Sequence, residues 1–190
     1  MKNLDQRNLI IEYSLKLNST NLSPLRSGNI SVRSKEKDTY GFLITPSGKK
    51  YETLKPEDIV FMGFNDDLKK NDLGNNPSSE WRFHRDIYIN KKDADAIVHA
   101  HSPHATAVSS HGKSIPAFHY MIALAGGEDI KCADYATFGT EELSNNVIRA
   151  LENRSACLMS NHGQVAFGKN LEQAFELAQE IENICHQYTI

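Results

Sequence analysis

Long apolar runs are missing from this chain of 190 residues. No stretch approaches the roughly 18 residues that a membrane-spanning helix needs. A charge excess of either sign is missing too: 21 Lys and Arg against 24 Asp and Glu leave −3. That balance supplies no field for nucleic acid or an anionic membrane. Cysteine is scarce. Cys132, Cys157 and Cys185 are odd in number, widely spaced and without a C-x-x-C pair. They argue against a disulfide framework and for a reducing, cytoplasmic setting. The opening residues, Met1 to Arg7, lead into a mixed segment rather than the apolar core of a secretory signal. There is no internal repeat, low-complexity run, P-loop or dinucleotide-binding glycine pattern.

What is present is ordinary globular composition, 39% apolar and 24% charged. The length suits one domain over 1–190 with a substantial buried core. Leu9, Ile10, Tyr13 and Leu17 recur at helical spacing and predict a helix over 5–17. Short β segments follow at 29–33, 41–45 and 58–62, each bounded by Gly, Pro or Asp. Residues 65–77 read as a polar loop. Ser78-Ser79-Glu80 opens a helix to about Asn90, with a serine cap and Glu80 as an acid in its first turn. A strand over 96–101, a helix over 103–110 begun by Pro103, and a helix over 140–153 come next. Strands at 156–160 and 164–167 flank Asn161-His162-Gly163, and an amphipathic helix over 171–185 closes the pattern. The alternation predicts an α/β fold: a three-layer α/β/α domain around a mixed or mostly antiparallel sheet.

The chemistry lies among eight histidines, most of them between His99 and His162. His99 and His101 stand at i and i+2 of a strand, so both imidazoles face one side. On spacing alone they are either two polar side chains of a half-exposed strand or two ligands of one ion. His162, in a tight strand–His–Gly–strand turn, can supply the third ligand of an open catalytic site. Glu80 alone reads as a charge complementing a helix dipole. Gly28-Asn29, Thr45-Pro46-Ser47-Gly48 and Ser78-Ser79 are three short stretches rich in hydroxyls and backbone N–H. Each is explicable as turn or cap chemistry, and Ser78-Ser79 also as an anion site. His104 reads either as a partner behind the H-x-H pair or as a helix-capping side chain.

Together these stretches resemble the class II sugar-phosphate aldolases of the fuculose-phosphate type, within the aldolase/epimerase/adducin-head superfamily. The matching motifs are Gly28-Asn29-Ile30-Ser31-Val32-Arg33, Ile44-Thr45-Pro46-Ser47-Gly48 and Pro77-Ser78-Ser79-Glu80-Trp81-Arg82-Phe83-His84. They continue through Ile97-Val98-His99-Ala100-His101, Ile115 to Ala123 with its His119-Tyr120, Tyr135 to Thr140, and Asn161-His162-Gly163. The resemblance spans about 5–188.

It implies zinc, or another divalent ion, one per subunit, on His99, His101 and His162. Glu80 is implied as acid/base and as a further ligand before substrate arrives. Gly28, Asn29, Ser47, Gly48, Ser78 and Ser79 are implied to hold a substrate phosphate. Tyr120 matches a tyrosine that reaches into a neighbouring subunit's site, which implies a homotetramer. The implied reaction is cleavage of a ketose 1-phosphate such as L-fuculose 1-phosphate to dihydroxyacetone phosphate and L-lactaldehyde. The same resemblance admits a ribulose-phosphate 4-epimerase, a dehydratase, a decarboxylase, or a non-catalytic adducin-like head. Members often run some thirty residues beyond the final helix. With the sequence ending at Ile190, the expectation is either closure over the aldehyde by other loops, such as 65–77 or 111–119, or a loose aldehyde specificity.

Overall fold

Residue-by-residue alternation along the strands decides which side chains meet which helices. The computed structural model describes residues 1–66 and 76–190. Its strands are β1 (Asn29–Glu36), β2 (Thr39–Ile44), β3 (Val60–Gly63), β4 (Ala96–Ala100), β5 (Cys132–Ala133), β6 (Ala156–Met159) and β7 (Gly163–Gly168). Among the described residues they form one seven-stranded sheet ordered β3-β2-β1-β4-β7-β6-β5. Its pairings are antiparallel except that of β5 with β6. In β4, Ala96, Val98 and Ala100 enter one apolar cluster while Ile97 enters the other, as the pleat requires. In β7, Ala166 opposes Val165 and Phe167 in the same way.

Helices α1 (Leu4–Ser19), α3 (Pro103–Ser109) and α5 (Leu171–Thr189) cover one face through residues such as Ile10, Leu17, Val108, Ala174 and Ile181. Helices α2 (Trp81–Asn90) and α4 (Glu141–Ala150) cover the other through Trp81, Phe83, Ile87, Leu143 and Val147. Burying each large side chain contributes roughly 1.5–3 kcal/mol, so the two clusters dominate the cohesion of the layers. The three-layer α/β expectation holds. All three cysteines are free thiols. Among the described residues no helix is long and apolar enough to cross a membrane.

Some details differ from the sequence reading. Glu80 is the N-cap of α2 rather than a first-turn acid, and no side chain caps that helix. Ser78 instead accepts the Glu80 N–H on its Oγ at 3.3 Å. Short 3-10 turns at Tyr51–Thr53, Pro56–Asp58 and Tyr120–Ala125, and the two-residue β5, lacked a periodic signal. Of the loop expected over 65–77, residues 67–75 lie outside the described residues.

Candidate metal centre

Three elements bring four candidate ligand atoms together. The pleat of β4 puts His99 on the α2 side of the sheet, beside Ile97. His101 follows one residue past the strand end. The N-terminus of α2 brings Glu80 over the same face. The β6–β7 turn brings His162: Asn161 adopts a left-handed φ of 55° there, a conformation asparagine tolerates. Gly163 then lies so close to β4 that an added Cβ would stand 2.4 Å from the Ala100 carbonyl oxygen. Only glycine fits that approach. At the start of β1, Gly28 is similarly pressed on the His99 carbonyl, 2.6 Å from an added Cβ.

The ligand atoms of Glu80, His99, His101 and His162 all lie within 4.8 Å of one another. His99 Nε2 is 2.9 Å from His101 Nε2 and 3.1 Å from Glu80 Oε2. Glu80 Oε1 is 3.1 Å from His162 Nε2, yet it is buried without a hydrogen bond. The Nδ1 of His99 meets the Gln164 carbonyl at 2.8 Å. A carbonyl only accepts, so that nitrogen carries the proton and the bare Nε2 faces the cluster. Burial alone raises the Glu80 carboxyl, but the imidazoles of His99 and His162 outweigh it and hold the group well below the usual carboxylate range. Burial, reinforced by His99 and His162, lowers His101 to about 3. An ionised carboxylate, a fixed bare nitrogen and an orphaned oxygen converging on one point fit a divalent cation. The residues therefore suit a metal of the zinc type.

Beside the cluster runs a cleft of about 320 Å³ lined by Ser27, Ser79, Tyr135, Phe138 and Asn161 together with Glu80, His101 and His162. A larger hollow of about 470 Å³ lies elsewhere, between the end of β7 and the start of α5. Among the described residues no metal-ligating cluster adjoins it, so chemistry rather than size selects the smaller one.

The structure joins the three polar stretches. Thr45 donates its N–H to the Ile30 carbonyl at 3.0 Å, and Ser78 donates its own to Thr45 at 2.9 Å. Ser47 donates to Asn76 at 2.9 Å, and Pro46 pairs with Pro77. Ser47, Gly48 and Ser79 are exposed, whereas Ser78 is buried. Asn29 stands apart from the expectation of an anion ligand. Its amide donates to Glu80 Oε2 at 2.9 Å, and its oxygen meets His84 Nε2 at 2.5 Å. Tyr120 is 81% exposed on its 3-10 turn and is absent from the cleft lining of its own chain. The His104 ring stacks on His186 with centroids 4.1 Å apart, and the His104 backbone N–H donates to Glu182, so the residue serves α3 and α5 rather than the metal centre. The sequence reading missed Ser27, Tyr135 and Phe138 as cleft residues and His84 as a partner of Asn29. The signals available in sequence were the place of His84 in the stretch after Ser-Ser-Glu and of Tyr135 and Phe138 in the stretch 135–140.

The family model for the class II aldolase and adducin N-terminal domain matches residues 8–189. The chain is 49% identical over 179 residues to the L-fuculose phosphate aldolase of Escherichia coli (strain K12), covering 94% of this chain and 80% of that one. It is 43% identical over 182 residues to the 5-methylthioribulose-1-phosphate/5-deoxyribulose-1-phosphate aldolase of Rhodospirillum rubrum, covering 96% and 79%. A solved structure of an L-fuculose 1-phosphate aldolase superposes with a TM-score of 0.90 at 40% identity, over 100% of this chain and 87% of that one.

Proposed function

The chain belongs to the class II aldolase and adducin N-terminal domain family, and from that premise we propose a zinc-dependent lyase that cleaves L-fuculose 1-phosphate to dihydroxyacetone phosphate and L-lactaldehyde. One observation carries the reading: a buried carboxylate and three imidazoles present their ligand atoms within 4.8 Å. A non-catalytic head needs no such cluster, since buried, unshared lone pairs cost stability. The similarity to L-fuculose phosphate aldolases at up to 49% identity supports the substrate.

His99, His101 and His162 would hold the ion, which when bound would supply Lewis-acid stabilisation of the charge that carbon–carbon cleavage leaves on the donor fragment. Glu80 moves a proton to and from the donor carbon through Oε1, the oxygen without a hydrogen bond. Ser47, Gly48 and Ser79, on stretches tied by backbone hydrogen bonds, grip the phosphate through N–H and hydroxyl groups. Gly28 and Ser78 shape that grip. Asn29, beside that grip, holds Glu80. Tyr120, 81% exposed, crosses to a neighbouring subunit of a homotetramer and donates to the aldehyde oxygen. Three free thiols suit a cytoplasmic protein.

Tyr135 and Phe138 give the cleft an aromatic wall. That favours aldehydes with an apolar end and supports a second reading, cleavage of a 5-deoxy- or 5-methylthio-ketose 1-phosphate, for which a 43% identical relative is known. Comparing kcat/KM for L-fuculose 1-phosphate and 5-deoxyribulose 1-phosphate separates the two. A ratio above about 10 in favour of fuculose phosphate is expected, since one well-matched hydroxyl is worth at least that. A reversed ratio transfers the assignment to the deoxy sugar.

A further inference from the structure

A file of hydrogen bonds behind the metal centre runs in one direction. Tyr88 Oη, Ser31 Oγ and His84 Nδ1 are linked at 2.8 and 2.7 Å. His84 Nε2 meets Asn29 Oδ1 at 2.5 Å, and Asn29 Nδ2 meets Glu80 Oε2 at 2.9 Å. Ser31 and His84 are fully buried, and Tyr88, Asn29 and Glu80 nearly so. The carboxylate at one end only accepts, so Asn29 must donate to it and turn its oxygen to His84. His84 must then donate from Nε2 and accept at Nδ1 from Ser31. Ser31 in turn accepts the Tyr88 O–H, which has no other acceptor among the described residues. Burial pushes the Tyr88 phenol far above its ordinary range, so that head of the file stays a donor. Reversing the file would set Asn29 Oδ1 against Glu80 Oε2, oxygen to oxygen, and leave the Tyr88 hydroxyl proton without an acceptor among the described residues.

We propose that His84 is a positioning residue for Glu80: its Nε2–H fixes the Asn29 amide, which tethers Oε2 and leaves Oε1 free at the metal centre. The register places the file where it must be, since β1 pairs Asn29 with His99 and Ser31 with Ile97. Both side chains therefore face α2, which carries His84 and Tyr88 on its buried side. Strand pleat and helix spacing together set the path. The inference rests on Glu80 serving the metal centre as proposed above.

Gln and Asn substitutions divide the two ring nitrogens: Gln reproduces the Nε2–H donor toward Asn29, whereas Asn reaches only the Nδ1 position. The metal-stripped protein would be titrated with Co2+ alone, followed by its visible absorption, and the variants compared by melting temperature. His84→Gln is expected to bind Co2+ within about threefold of the parent, and His84→Asn at least tenfold more weakly, the usual scale for a partner behind a ligand. In the loaded enzymes kcat should fall in the same order while KM stays within about threefold. Equal effects of Gln and Asn, or better retention by Asn, would overturn the proposal and leave His84 a packing residue. Should His84→Asn not fold, Ser31→Ala removes the hydrogen bond to Nδ1; roughly three- to tenfold weaker Co2+ binding is expected, and unchanged binding refutes the file. The cobalt series uses no substrate. A parent protein without aldolase activity would therefore sink the functional reading and still leave His84 to be judged.

Discussion

A carboxylate 5% exposed against three imidazoles sets the chemistry at the residue scale. His101→Ala removes one of three nitrogen ligands and should lose metal and turnover together, by at least a hundredfold in each. A variant that keeps full metal content would remove His101 from the centre. Glu80→Gln keeps the shape and the Asn29 contact but not the base. Zinc should be retained while kcat drops roughly 10²–10⁴-fold, and a near-parental rate would hand the proton to another group. Acid acts on the same residues. His84 is lowered from 6.5 to about 3 by burial and then His99, and His101 is lowered to about 3 as well. Between about pH 6.5 and pH 3 the unfolded chain binds protons that these buried rings refuse, so folding stability is full above that window and lost as pH falls through it. Urea midpoints of the metal-free protein at pH 7.5, 6 and 5 should fall in that order. Constant midpoints would mean that neither ring is kept neutral by the fold.

Elements matter through the turns that aim them. Gly163→Ala sets a Cβ 2.4 Å from the Ala100 carbonyl and must push β7 from β4 just where His162 and His101 meet. A melting temperature lower by roughly 3–10 °C is expected, together with weaker metal binding. Intact metal affinity in that variant would show that the hairpin does not set the distance between the ligands. The long periodic elements were legible from sequence: α1, α2 and α5, and the strand carrying His99, stand close to where spacing put them. The two residues of β5 and the 3-10 turn at Tyr120–Ala125 were not, because two residues cannot show a repeating alternation and six residues at three per turn lack the 3.6 spacing of an α-helix. Taken alone, Glu80 reads as a dipole charge, and only the resemblance implied its acid/base and ligand roles, because sequence shows neighbours along the chain and not the sheet face a side chain turns toward. Asn29 was implied as an anion ligand by the resemblance alone. Its loop is where the pattern put it, but the amide is committed across the sheet to Glu80 and to His84, 55 residues away along the chain.

On the scale of the whole molecule, Tyr120 is the residue that one chain leaves unused. If it completes a neighbour's site, mixed oligomers behave in a way single chains do not. Co-expressed His101→Ala and Tyr120→Phe chains, each impaired alone, should form sites with intact ligands from one subunit and Tyr120 from the other. Activity above the sum of the separate variants is expected, and strict additivity would place Tyr120 outside the reaction. The aromatic wall of Tyr135 and Phe138, the Ser79 end of the polar stretches, and Glu80, His101 and His162 of the candidate cluster meet in one cleft. Their joint function is tested most directly by release of dihydroxyacetone phosphate from L-fuculose 1-phosphate by the purified protein before chelation, after chelation, and after return of zinc. Release that disappears with the chelator and returns with zinc is the predicted result. Release that survives complete removal of metal, or none from protein carrying one zinc per chain, would contradict it.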